Sequence, residues 1–352
     1  MDASPALLAV PDPWIKQTSA SRALVLLYHR VADLDLDPQL LSVTPRHFDE
    51  HLQTLSQSYD VMTIATLVEH LEARTLPKRS VAITFDDGYK DNLFAKSQLE
   101  KFGLPATVFV TTSALDNGRE FWWDELEQLF LAPGHLPERL YGSTLDGFKL
   151  HRFIGAMELG EDAFYGTDTA KTFAGWNVAN DNNPTIRHQV YREVHNYLRL
   201  IATGTAEKES ILQGFFDWAG RQRQIRASHQ ALSRQDLAEL ARGGLIEIGS
   251  HTTTHPVLAK LSGKEQASEI DDSRSLLQEL LGLPVQSFAY PYGAACDFNS
   301  ESVAIVRDCG YRAACSNIPD LVWTGTDPYQ LPRVLVRDCH GDTFSQWLQG
   351  WF

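Results

Sequence analysis

Short apolar, partly β-branched runs alternate with segments of helical periodicity at both ends of this 352-residue chain, and that alternation restricts the fold more than any other feature. The clearest runs are ALVLLY ending at Tyr28, SVAITF ending at Phe85, residues 106–110, LIEIG ending at Gly249, and residues 285–290. Weaker strands are expected at 61–64, 311–315 and 333–336. Helical spacing fills the gaps: Phe48, Leu52 and Leu55 follow Thr44 and Pro45, an N-cap with proline in the first turn. Helices are also predicted over 64–74, 90–102, 262–281 and 299–309, and one starts at Ser233 with Asp236 in its third position. Strand, helix, strand in regular order demands parallel strands joined by crossovers.

The alternation fails over residues 117–231, where helical periodicity appears at 121–131, 186–201 and 207–221 with no convincing strand. The expected organisation is a loose arm at 1–21, an α/β domain built from 22–116 and 232–352, and a mainly helical insertion at 117–231. Residues 155–185, rich in Gly, Asn and Asp, read as a mobile loop or as a lid.

Four of the strand-like runs halt on chemistry-bearing residues. The first delivers His29 and Arg30, the next Asp86-Asp87-Gly88, a third Ser250-His251 with His255 close behind, and a fourth Pro291-Tyr292-Gly293. Function gathers at the carboxyl ends of parallel strands, so these scattered residues can share one face. Neighbouring side chains on an extended chain point different ways, which lets one of Asp86 and Asp87 bind a metal while the other handles a proton. The plain alternative is a turn with a helix cap. His251 and His255 can bite one metal if their loop takes a helical turn. Two histidines and one aspartate would leave coordination positions open, as a catalytic metal site requires.

Composition removes several classes. Lys and Arg number 31 against 45 Asp and Glu, a formal charge of −14 that disfavours a nucleic-acid binder. No run approaches the roughly 18 apolar residues of a membrane span. The start, MDASPALLAVPDPW, lacks a basic region and is broken by Pro11 and Pro13, so the expectation is a cytoplasmic protein. Cys296, Cys309, Cys315 and Cys339 show no C-x-x-C spacing and are expected as free thiols.

TFDDG (84–88), SHTTTH (250–255) and FAYPYG (288–293) resemble the first three motifs of the polysaccharide deacetylases, the NodB-homology carbohydrate esterases. The resemblance covers roughly 22–116 and 232–340. It implies a distorted, incomplete (β/α)7 barrel carrying a helical insertion and holding a divalent metal, Zn2+ first, with Co2+, Ni2+ and Fe2+ as alternatives. It also implies Asp86 as general base, Asp87, His251 and His255 as metal ligands, and the backbone N–H of Tyr292 as oxyanion donor. The family's third-motif arginine is missing, its position falling near Ala289, so either another residue such as Arg30 or Arg333 orients Asp86 or that work goes undone. The late Leu-x-His motif is matched only weakly by Asp338-Cys339-His340, whereas LLYHR resembles a rearranged version in which the motif comes early. That assigns the general acid to His29, a buried structural histidine being the other reading. The implied reaction is removal of an N-acyl group, most simply acetyl, from an amino sugar present as a small molecule, a sugar-nucleotide or a glycan. An N-deformylase or other amidohydrolase, and a glycan-binding protein that has lost catalysis, are the alternatives. Leu26, Leu27 and Tyr292 would form the acyl pocket, with Pro291 beside it. Trp122 and Trp123 either stack on sugar or dock the insertion.

Overall fold

The computed structural model describes residues 21–116, 118–141, 156–200 and 205–352. The expected arm at 1–21 therefore lies outside the described residues except for Ser21, as do Asn117 and Ile201, predicted ends of the insertion and of one of its helices. The chain divides into two compact units: one runs up to Asp33 and takes in Leu41–Gly118 and Ala231–Phe352, the other takes in Leu34–Leu40 and Arg119–Gln230. Leu34–Leu40, expected in the barrel, joins the second unit because Pro38 O accepts from Val178 N at 2.9 Å and Gln39 reaches the Tyr191 hydroxyl at 2.7 Å.

The first unit is built on parallel strands β1 (Ala23–Tyr28), β2 (Asp60–Met62), β3 (Ser80–Phe85), β4 (Ala106–Val110), β5 (Ile246–Ser250), β6 (Ser287–Ala289), β7 (Ala313–Cys315) and β8 (Val334–Leu335). Their order is β7-β6-β5-β4-β3-β1-β8, with β2 off this path. β3 forks the sheet, since its first half pairs with β2 and its last two residues with β4. Leu331 bridges to Cys315 of β7, and three residues later Val334 pairs with Leu26 of β1, so one short segment spans the remaining gap. This is a distorted, incomplete (β/α) barrel. Strands buried on both faces explain the continuous apolar runs in the sequence.

Helices α1 (Pro45–Ser58), α2 (Ile64–Ala73) and α3 (Asn92–Phe102) serve the first half of the sheet. Along β1 the side chains alternate: Leu24, Leu26 and Tyr28 join Phe48, Leu52 and Leu55 of α1 in one core cluster. Ala23 and Val25 join Ala82, Phe109, Ala289 and residues of α2 in another.

In the second unit α4 (Trp122–Phe130), the short α5 (Thr167–Thr172), α6 (Ile186–Leu200) and α7 (Thr205–Ala219) supply most of the structure. Leu126, Phe130, Val190, Val194, Ile211 and Phe215 make its core. It also contains strands, which corrects the reading of an insertion without any: Gly134–His135 pairs with Phe164–Tyr165, and Arg139–Tyr141 with Ala156–Glu158. Two- and three-residue strands carry no readable period. Buried Arg187 ties α6 to them, donating to Asp162 O and Gly134 O at 2.7 Å each.

The barrel unit resumes with α8 (Arg234–Ala241), α9 (Gly263–Leu281) and α10 (Ser300–Asp308). Capping boxes at Ser233/Asp236 and Ser262/Glu265 start α8 and α9. A last helix, α11 (Gly341–Trp351), went unpredicted and buries Phe344, Leu348 and Trp351. All four cysteines are free thiols. Among the described residues no helix is long and apolar enough to cross a membrane.

Candidate active site

β3 stops at Phe85, and the two carboxylates behind it turn to different partners. Asp86 is gripped by Arg333, whose two terminal nitrogens donate to Oδ1 and Oδ2 at 2.6 and 2.7 Å. Arg333 is 1% exposed and is itself fixed by Ser316 O at 2.9 Å and Thr84 Oγ1 at 3.3 Å. A planar fork on a carboxylate is the strong, orienting form of such a pair. Arg30, the other candidate, goes elsewhere: it pairs with Asp91 at 3.0 Å and lies over the Tyr89 ring. Burial works to raise the Asp86 pKa, but the charge of Arg333, with His251 and His29, outweighs it and holds the carboxyl below its ordinary value. A carboxylate held this way favours its ionised form.

Asp87 adopts a left-handed backbone, φ 73°, and Gly88 follows at φ 86°, where an added Cβ would come within 3.2 Å of Val110. Across from it, β5 ends at Ser250 and presents His251. His251 Nδ1 lies 2.8 Å from Ala289 O, a contact only an N–H can make, so Nε2 faces Asp87 Oδ1 at 3.6 Å. His255 Nε2 is 3.3 Å from the same oxygen. One ligand atom from each of Asp87, His251 and His255 lies within 4.8 Å of the others, and all three side chains are buried. Two imidazoles and a carboxylate, with one tautomer already set by a backbone carbonyl, fit a divalent transition metal.

The loop between the histidines is not the helical turn expected from their spacing. Thr252 and His255 take left-handed backbone, φ 67° and 57°, and Thr252 Oγ1 accepts from His255 N at 3.1 Å. Left-handed backbone at non-glycine residues persists only where its surroundings over-determine it. Here Glu269 of α9 does so, accepting from Thr253 N at 3.0 Å, Thr254 N at 2.8 Å and Thr254 Oγ1 at 2.6 Å. Nothing in the sequence pattern marked Glu269. Glu269→Ala is expected to weaken metal binding about 10- to 100-fold, the usual loss for a supporting residue, with secondary structure unchanged. Glu269→Gln, which keeps a carbonyl for the two N–H groups, should recover part of it. Competition against a metallochromic chelator measures both, and unchanged affinity in the alanine variant would remove Glu269 from the site.

His29 follows β1 directly, and Asn92 Nδ2 holds its backbone carbonyl at 2.9 Å. Burial pushes the imidazole down to about 3, with Asp86 pulling upward and Arg333 and His251 downward. Its Nδ1 has no hydrogen-bond partner among the described residues. Tyr292 has φ 60° and sets its ring edge against His255, centroids 4.6 Å apart. Gly293 then packs so tightly that a Cβ would stand 2.7 Å from Asn317 N. Pro291 is buried and accepts from Gly293 N at 2.7 Å.

One further expectation needs correcting. Leu26 is fully buried in the cluster with Phe48 and Leu52, on the sheet face opposite Val25, so it cannot line an acyl pocket. Strand alternation puts Leu27 on the other face. His340 sits 3.0 Å from His47 and 3.9 Å from Glu50 at the start of α11. Trp122 and Trp123 belong to the second unit: Trp123 stacks on Phe121 at 4.7 Å, and Trp122 packs on His195 at 4.9 Å with Lys208 over its ring.

Solved structures share this fold. A Streptococcus pyogenes deacetylase determined with acetate superposes with a TM-score of 0.57 at 16% identity, covering 94% of this chain and 99% of that one. IcaB from Ammonifex degensii gives 0.55 at 19% identity, covering 94% and 97%. A family model described as polysaccharide deacetylase matches residues 73–136 and 210–314 of the chain. Those segments contain Asp86, Asp87, His251, His255 and Tyr292, while His29 and Arg333 lie outside them. Among curated proteins, a Bacillus subtilis chain named as a polysaccharide deacetylase is 27% identical over 119 residues, covering 33% of this chain and 41% of its own. The Staphylococcus aureus poly-β-1,6-N-acetyl-D-glucosamine N-deacetylase is 23% identical over 128 residues, covering 34% and 42%. The matched stretch thus spans about two fifths of each of these relatives.

Proposed function

We propose that this protein hydrolyses the N-acetyl group of an amino sugar within a glycan or glycoconjugate, and that it needs a divalent metal, zinc first, held by Asp87, His251 and His255. The observation that carries this reading is a buried carboxylate, Asp86, clamped by Arg333 beside a cluster of ligand type. When bound, the ion supplies Lewis acidity and a water of lowered pKa. Asp86 accepts the proton of the attacking water as its oxygen adds to the amide carbon. The Tyr292 backbone N–H is the expected donor to the oxyanion of the tetrahedral adduct, a role worth roughly 3 kcal/mol where such a donor is removed. The C–N bond then breaks, and the departing nitrogen takes a proton. His29 is the proposed donor, relaying the proton that Asp86 took from water, because an imidazole held neutral at rest must first acquire one. Acetate and a free amine leave, and the residues return to their starting forms.

The poly-N-acetylglucosamine activity in the name of the Staphylococcus aureus relative supports β-linked N-acetylglucosamine oligomers as first substrates. The competing idea of a glycan binder that has lost catalysis drew its strength from Ala289, where an arginine was expected. Arg333 on Asp86 takes that support away. The test is mass spectrometry of N-acetylated and N-formylated amino sugars, free, nucleotide-linked and oligomeric, after incubation with the zinc-loaded protein. Loss of one acyl mass, abolished by chelator and by Asp86→Asn, is the expected result. No loss from protein shown to hold its metal would overturn the reading.

A further inference from the structure

A second group of ligand-type side chains lies where α11 begins. His47 and Glu50 are neighbours on α1, and His340 is the residue before α11. One ligand atom from each lies within 4.8 Å of the others. His47 Nε2 is 3.0 Å from His340 Nδ1, which is 3.9 Å from Glu50 Oε2. The two rings meet edge to face with centroids 4.4 Å apart, and in the metal-free protein His340 Nδ1–H donates to His47 Nε2, a proton that a bound ion would replace.

An independent observation gives this group its chemistry. His47 Nδ1 lies 2.7 Å from Asp338 Oδ1, an oxygen that also accepts from Thr44 N at 2.8 Å and Thr44 Oγ1 at 3.0 Å. A carboxylate there keeps the His47 proton on Nδ1 and turns the Nε2 lone pair toward His340 and Glu50. Carboxylate, histidine, then metal is the arrangement that fixes the tautomer of ligating histidines. The α11 N-terminus opposes a cation, and Gly341 N donates to Glu50 Oε2 at 2.8 Å. Against that, Glu50 and Asp338 bring two negative charges. Arg46 touches Glu50 Oε1 at 3.1 Å and is largely exposed. His47 is mostly buried, whereas the Glu50 and His340 side chains are 29% and 43% exposed, which leaves an entry path and room for water ligands.

We propose that His47, Glu50 and His340 form a second divalent transition-metal site, separate from Asp87, His251 and His255, with Asp338 orienting His47. Nitrogen-rich ligation selects zinc, nickel or copper over magnesium and calcium. A bound ion joins α1 to the residue that starts α11, so its effect is to fasten the C-terminal helix.

The experiment uses the full, untagged chain, stripped with chelator and titrated with Zn2+ alone, the bound metal being counted after gel filtration. Two ions per chain are expected for the native sequence, one for His340→Gln and one for Asp87→Asn. Asp338→Asn should weaken one of the two ions about 10- to 100-fold. Hydrogen exchange locates the effect: zinc should slow amide exchange in α11 of the native chain and of Asp87→Asn, but not of His340→Gln. A single ion lost in Asp87→Asn and kept in His340→Gln overturns this proposal while sparing the barrel site. A single ion with the opposite pattern upholds it and sinks the barrel site instead.

Discussion

Arg333→Met is expected to destabilise the metal-free protein by about 3–5 kcal/mol, the cost of stripping one partner from a buried ion pair. Deacetylation should fall by about 10²–10⁴-fold, the range a positioned base contributes. The guanidinium supplies both hydrogen bonds on Asp86 that come from a cationic side chain, and in the proposed reaction the same carboxylate accepts the proton of water. Arg333→Lys restores a charge without the fork and should recover stability better than rate. Denaturant unfolding of Arg333→Met, Asp86→Asn and the double variant separates pair from site: the double variant should lose clearly less than the two singles summed. Strict additivity, or a native rate in Arg333→Met, would show that Arg333 does not hold Asp86.

The same pair fixes a pH dependence in metal-free protein. Burial alone raises the Asp86 pKa, and Arg333 is the first of the charges that reverse it. With a folded pKa below the ordinary value of about 3.9, Asp86 contributes stability that is present above that value and lost as pH falls toward the folded one. Without Arg333 the folded pKa moves upward, and the carboxylate opposes folding as it ionises. The gap in unfolding midpoint between native and Arg333→Met protein should therefore narrow on acidification through about pH 4 and widen above it.

How much of this could be read from residues alone depended on whether the determinant was local. The barrel strands were legible because parallel strands covered on both faces leave continuous apolar runs, and their polar exits marked Asp86, Asp87, His251 and His255. Which arginine meets Asp86 was not local. Arg30 and Arg333 both flank strands, and the choice follows from β8 lying beside β1 in the register Leu26↔Val334. The loop from His251 to His255 misled for a related reason: H-x-x-x-H is helical spacing, but Glu269 on another helix imposes left-handed residues within it. Leu26 was misplaced by one step of strand alternation, an error that exchanges core for pocket. In α11 the spacing of Phe344, Leu348 and Trp351 was visible, but its start at Gly341 has no side-chain cap to announce it.

The assignment of His29 makes the other large prediction. His29→Gln should slow hydrolysis of N-acetylglucosamine oligomers by about 10²–10⁴-fold while leaving hydrolysis of 4-nitrophenyl acetate within a few-fold of native. The contrast follows from the leaving groups. A sugar amine is too basic to depart as an anion and must be protonated as the C–N bond breaks, whereas a nitrophenolate departs unaided. Burial holds the His29 imidazole neutral at rest, so the proton it gives the amine is one it takes up during the reaction. Asp86→Asn, which removes the base for both substrates, should instead slow both. If His29→Gln slowed amide and ester alike, the residue would be holding the strand end in place. Native rates on both would require the proton to come from elsewhere, and the early LLYHR stretch would lose its catalytic reading.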